Sequence, residues 1–248
     1  MTYGAANLND DAAGPKSTLA STVYQQLRDD LLDGVLEAES KLRVEWVVSK
    51  YGAGASPVRE ALNRLASEGL LGRHDQRGFF IMPVSASELE ELTRTRCWLE
   101  ERALRESIAH RTAEWEEQLV LALHRLARAS RLSPQNLVSL NPDWERLHRI
   151  FHRVLISACR SQWLVGFCDQ LSDHAYRYRQ MANDGDRVQR DGFGEHRLIA
   201  ECALDGNADG AVEALINHYQ LTAAMCMKRF SQGEGSQAVA GRAERARR

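Results

Sequence analysis

Apolar residues recur at helical spacing from Ser17 onward, and the pattern changes character near Pro83. Val23, Leu27, Leu31 and Val35 lie four apart and predict an amphipathic helix ending near Gly34. A second short helix fits Val44 to Tyr51, with Val47 and Val48 inward, before Gly52-Ala53-Gly54-Ala55 breaks the pattern. Ser56 is expected to cap a third helix with Pro57 in its first turn. Val58, Ala61, Leu62 and Leu65 form its inner stripe as far as Gly69. Leu70-Leu71 and Phe79-Phe80-Ile81 then read as strands around a polar tip from Arg73 to Gly78. Helix, helix, glycine-containing turn, helix and hairpin is the order of a winged helix-turn-helix.

From Val84 to Phe230 there is almost no strand signal. Helical periodicity predicts segments at about 86–109, 112–130, 142–160, 161–182, 190–205 and 207–229, punctuated at Asn141-Pro142 and Asp184-Gly185-Asp186. Six amphipathic helices on short connections make a bundle. The fold class is therefore mainly α, an N-terminal winged helix-turn-helix over residues 17–83 and a C-terminal all-α helical bundle over residues 84–230. Residues 1–16 and 231–248 lack periodicity and read as a disordered leader and a disordered tail.

Composition narrows the class. With 44% hydrophobic and 27% charged residues the chain has a globular profile. It has no apolar run of bilayer length and no apolar core with a cleavage site near the start, so a cytoplasmic protein without a membrane partner is expected. Five scattered cysteines without a CxxC spacing suit reduced thiols rather than a disulfide framework. The net charge of −2 gives no global sign of nucleic acid, yet Lys41 to Phe80 carries seven basic against four acidic residues.

Within that basic stretch, Ser56, Arg59 and Asn63 lie opposite the apolar stripe of the third helix, where a recognition helix meets the major groove. Arg59 suits a guanine edge and Asn63 an adenine. Arg73, His74 and Arg77 on the hairpin suit phosphates or the minor groove, with Gly78 permitting close approach. By residue type alone, a solvated face of ordinary exposed charges is the better reading.

The second zone offers a different chemistry. His148 and His152 are four apart on one helical face. His196 shares a face with Ile199 and Ala203, and His218 with Ala211 and Leu215, so three helices aim imidazole inward. Such a set suits a divalent transition metal, zinc or nickel first. A lone inward histidine is more often a hydrogen-bonded core residue; four from three helices weigh against that reading here. Asp184, Asp186 and Glu195 imitate a calcium loop, but Gln189 stands where the turn demands glycine. An all-helical metalloenzyme carrying a DNA-targeting module is the competing reading, with Glu195 beside His196 as its one nameable base.

The runs Lys41-Leu42-Arg43, Gly54 to Leu62 and Arg64 to Leu70, with Gly78-Phe79 and Pro83-Val84-Ser85, resemble the signature of the GntR regulator family. Many members carry arginine just before the Ser/Thr-Pro pair; Ala55 stands there in this chain, so the operator sequence read should differ. The second zone is similar to the all-helical (FCD) effector domain of the FadR-type branch, through Arg96 with Glu100, Phe151-His152, Glu195-His196 and Ala211 to His218. Within that branch, His148 to Leu164 and Tyr176-Arg177-Tyr178-Arg179 most resemble carbon-starvation-type regulators.

The resemblance implies a ligand-responsive regulator, read as a repressor, that binds double-stranded operator DNA as a homodimer. It also implies a metal ion and a small organic-acid effector. His152, His196 and His218 match the family's ligand pattern; His148 replaces its aspartate, with Glu145 one turn earlier as a substitute carboxylate. Arg96 and Arg177 are the candidates for pairing with the effector's free end, although a structural salt bridge, Arg96 with Glu100 for instance, fits each as well. Tyr178 and Trp163 read as core.

Overall fold

The computed structural model describes residues 18–36, 40–74, 78–133, 136–181 and 191–245. The expected leader, the hairpin tip with Arg77, and the Asp184–Asp186 segment lie outside the described residues. The chain divides into two compact units, residues 1–30 with 40–81, and residues 31–39 with 82–248.

The first unit contains α1 (Leu19–Leu32) as far as Asp30, β1 (Lys41–Leu42), α2 (Val44–Tyr51), α3 (Ala55–Ser67), β2 (Leu71–His74) and β3 (Gly78–Ile81). Val23, Leu27, Val47, Val58, Leu62 and Leu65 are fully buried and fuse the three helices. Val35 is 61% exposed because the helix stops before it, at Leu32; that residue closes the apolar stripe instead. Ser56 does not cap α3: Gly54 is the cap residue, and Ser56 sits exposed in the first turn. At the other end Gly69 takes φ +76° and Leu70 N–H donates to the Leu65 carbonyl, a Schellman-type closure that turns the chain into β2.

The three strands form an antiparallel sheet in the order β1-β3-β2. β1 was not expected, since two residues carry no periodicity of their own. It exists because β3 offers a free edge, pairing Lys41 with Phe80 and Leu42 with Phe79.

The second unit contains α4 (Ala86–Ala109), α5 (Ala113–Arg128), β4 (Leu132–Ser133), β5 (Asn136–Leu140), α6 (Pro142–Leu155), α7 (Gln162–Met181), α8 (Gly192–Leu204) and α9 (Ala208–Arg245). α4, α5, α6 and α8 each start on a side-chain cap: Ser85 on Glu88 N–H, Thr112 on Trp115 N–H, Asn141 on Asp143 N–H and Asp191 on Gly194 N–H. Leu104, Leu119, Phe151, Leu155, Ile199 and Leu215 are almost fully buried and bring α4, α5, α6, α8 and α9 to one core.

Two features depart from expectation. The β4–β5 hairpin falls where no strand was anticipated, and its base is closed by Asn141, whose N–H donates to the Arg131 carbonyl and whose amide donates to the Ser130 carbonyl. That closure fixes Arg131 beside the start of α6. α9 continues to Arg245 through the stretch expected to be an irregular tail; the Ala, Gln, Glu and Arg of that stretch favour helix over its three glycines.

Candidate metal centre and DNA-reading face

On α3, Ser56, Arg59 and Asn63 are all exposed, on the face opposite the buried Val58, Ala61, Leu62 and Leu65. Arg73 and His74 are exposed on β2, and the Arg73 guanidinium donates to Asn63 Oδ1 at 3.3 Å. The wing strand is therefore tied to the helix whose exposed face carries Arg59. Gly78 opens β3 at φ +85°, a conformation a side chain would strain. Arg64 is turned away from that face, stacked 3.8 Å over the Tyr24 ring and paired with Glu68.

In the second unit, His148 and His152 on α6, His196 on α8 and His218 on α9 come together with ligand atoms all within 4.8 Å of one another, every one buried. Nitrogens about 2.0–2.1 Å from a common ion stand at most about 4.2 Å apart, so small side-chain shifts suffice to share one. One buried atom, His196 Nε2, opposite the nitrogen that bonds Gly192, has no hydrogen-bond partner. An inward imidazole nitrogen left bare at such a depth fits a metal ligand better than a core histidine.

The outer nitrogens are held by partners. His196 Nδ1 bonds the Gly192 carbonyl, which puts its proton there and leaves Nε2 with its lone pair. His218 Nδ1 lies 2.7 Å from Glu195 Oε2. His152 Nδ1 lies 3.1 Å from the Tyr219 hydroxyl, which donates to Glu100, and Glu100 is in turn gripped by Arg96 Nε at 3.0 Å. Such outer contacts fix tautomer and ring direction at a metal site.

Burial keeps three of the imidazoles neutral. It is the largest cause in pushing His196 down to about 3, and in holding His148 and His152 well below the usual histidine range, aided by the neighbouring imidazoles. Neutral imidazole is the ligating form, so this burial favours metal capture near neutral pH.

Beside the histidines lies a cavity of about 40 Å³, room for a few water-sized groups and no bulky ligand. Arg96, Arg131 and Arg179 line it. Arg96 is committed to Glu100 and lies 4.1 Å over the Tyr219 ring, so the structural salt bridge is the reading the geometry favours. Arg177 does not line the cavity: its guanidinium donates to the Met82 carbonyl. Arg177 and Arg179 are two positions apart on a helix, hence on nearly opposite sides, and it is Arg179 that reaches inward. Arg131 and Arg179 were both missed in the sequence, Arg131 because the hairpin that positions it was missed. Tyr178 is buried as expected, but Trp163 is 82% exposed on the first turn of α7.

Compared with known proteins, residues 19–81 match the bacterial regulatory proteins of the gntR family, and residues 91–221 match the FCD domain. The HTH-type transcriptional regulator BphR of Paraburkholderia xenovorans is 36% identical over 203 residues, 82% of this chain and 83% of that protein. The chain belongs to the GntR family, with an FCD effector domain. The HTH-type transcriptional repressor GlaR of Escherichia coli is 29% identical over 63% of this chain and 70% of its own length. The solved structure of E. coli McbR/YncC shares the fold, with a TM-score of 0.72 and 21% identity over 86% of this chain and 99% of its own. This GntR protein is thus a DNA-binding transcription regulator. The metalloenzyme alternative is set aside, because its families and relatives are regulators rather than enzymes. No described helix is long and apolar enough to cross a membrane.

Proposed function

We propose that this GntR regulator is a cytoplasmic, homodimeric repressor whose FCD domain binds one divalent transition metal, zinc or nickel, and through it a small carboxylate effector. The observation that carries the proposal is the convergence of four buried imidazoles from three helices, three of them with their outer nitrogens already held. His148, His152, His196 and His218 would hold the ion. When bound, it supplies a Lewis-acidic point for one carboxylate oxygen. Arg131 lines the cavity and would pair with the effector's remaining charge, in place of Arg177; Arg179, beside it, is already paired with Glu145. Ser56, Arg59, Asn63 and Arg73 would read and grip the operator, with Gly78 letting the wing approach. The repressor sign is supported by the likeness to GlaR, which is named a repressor.

A screen of small carboxylates by thermal shift, run on metal-loaded and chelator-stripped protein, tests the sensor. At least one carboxylate should raise the melting temperature of the loaded form alone. A shift of equal size in both forms, or none in any, sinks the effector reading.

One winged domain covers too small a footprint for tight specific binding, so two copies on a two-fold symmetric operator are expected. Sedimentation of the free protein and of its operator complex should give two chains in each. One chain per operator would contradict the dimer.

A further inference from the structure

The cavity beside the histidines changes character along its length. α4 and α9 run antiparallel past it: Arg105 pairs with Asp209, Arg96 lies over Tyr219, and Leu89 shares a cluster with Ala223 and Cys226. From His218 onward, successive turns of α9 bring Thr222 and then Cys226 to the cavity wall. Going back from Arg96, successive turns of α4 bring Thr93 and then Leu89. The imidazole end also holds Arg131 and Arg179, the first 5.2 Å over the Trp144 ring and the second paired with Glu145. The far end is walled by Leu89, Ala175, Tyr178, Ala223 and Cys226, members of a small apolar cluster apart from the main core.

The hydroxyls on the way to that end have already given their hydrogens. Thr93 donates to the Leu89 carbonyl at 2.7 Å, Thr222 to the His218 carbonyl at 2.8 Å and Tyr178 to Glu88 at 2.7 Å. Among the described lining residues, the far end therefore offers no cation and no hydroxyl hydrogen to a second carboxylate. A charge placed there would lose its water without replacement, whereas each methylene buried there tightens binding about fourfold. The volume of about 40 Å³ has room for about three water-sized groups, so whatever occupies this end is short.

We propose that the effector is a short aliphatic monocarboxylate of about two to four carbons. Its carboxylate sits between the ion and Arg131, and its alkyl tail lies between Leu89, Ala175 and Ala223. Ala175 and Ala223 set the tail length, because a larger side chain at either position would fill the end. Dicarboxylates of the same length are rejected, since their second charge would enter the apolar end. The proposal rests on the metal and carboxylate reading of this site and names the chemical class it takes.

The test is isothermal titration of the full-length, zinc-loaded protein with acetate, propionate, butyrate, malonate and succinate. Propionate should bind about fourfold more tightly than acetate. Propionate and butyrate should each bind at least about tenfold more tightly than malonate and succinate, which have the same chain lengths. Ala223→Leu, which fills the far end, should lower the ratio of butyrate to acetate affinity about tenfold. A dicarboxylate that binds as tightly as its monocarboxylate counterpart overturns the proposal, and so does a folded Ala223→Leu with an unchanged ratio. Should that variant not fold, the acid series on wild type decides alone. Zinc-loaded protein that binds none of the five acids overturns the effector reading and this class with it. Protein that takes up no zinc overturns the metal reading, a result distinct from a wrong order among the acids.

Discussion

Changing His196 and His218 together to alanine is expected to lower thermal stability while leaving operator binding intact. In the proposed site the two residues would bring α8 and α9 to the ion, so their loss would remove the tie between those helices and α6. An ion present at about a thousand times its dissociation constant adds about 4 kcal/mol to the folded state, and the double variant forfeits it. A chelator should lower the melting temperature of wild type in the same way and have no effect on the variant. Operator binding survives because α1 to α3 pack around Val23, Leu27, Val58 and Leu62, in the other unit. Melting curves with and without chelator, beside a gel-shift titration, measure both halves. A variant as stable as metal-loaded wild type would make the histidines ordinary core residues.

Arg59→Ala is expected to weaken operator binding by about 1–3 kcal/mol and to relax base preference at the position Arg59 reads. The side chain is exposed on α3 one turn after Ser56 and one turn before Asn63, and its loss uncovers no core atom. Folding should therefore be unchanged. Arg73→Ala should behave differently: its guanidinium braces Asn63 and suits a phosphate, so binding to all sequences falls and the salt slope drops by about one. Fluorescence anisotropy on operator and scrambled duplexes, across a salt series, separates the two. Unchanged affinity and specificity in Arg59→Ala would place the recognition surface elsewhere.

Much of this site was legible in the sequence because helical periodicity is a local property. His196 and His218 could be assigned to inner faces from their spacing to Ile199, Ala203, Ala211 and Leu215, all of which lie in the core. What periodicity does not contain is which residues meet across helices. The Glu195–His218 bond joins residues 23 apart, and the Tyr219–Glu100 bond joins residues 119 apart. Glu195 was read as a possible base for that reason; its place outside His218 is a tertiary fact. The Tyr-Arg-Tyr-Arg run posed the same problem in miniature, offering two arginines on opposite sides of α7 with nothing local to say which side held the cavity. Trp163 reads as core in the sequence, but α7 begins only one residue earlier, at Gln162, and leaves it outside. Short strands were lost for a related reason: β1 and the β4–β5 hairpin take their structure from a partner strand more than from their own residues.

If one metal-dependent site governs DNA binding, operator affinity will respond to titration with the carboxylate that most raises the melting temperature. The effector must bind the DNA-competent and DNA-incompetent forms unequally, typically by about 1–3 kcal/mol. Operator affinity of metal-loaded wild type should therefore change by about 5–150-fold across the titration. The His196→Ala, His218→Ala variant and the chelator-stripped wild type should bind operator with no dependence on the carboxylate. A folded double variant that responds to the carboxylate as wild type does would contradict the account.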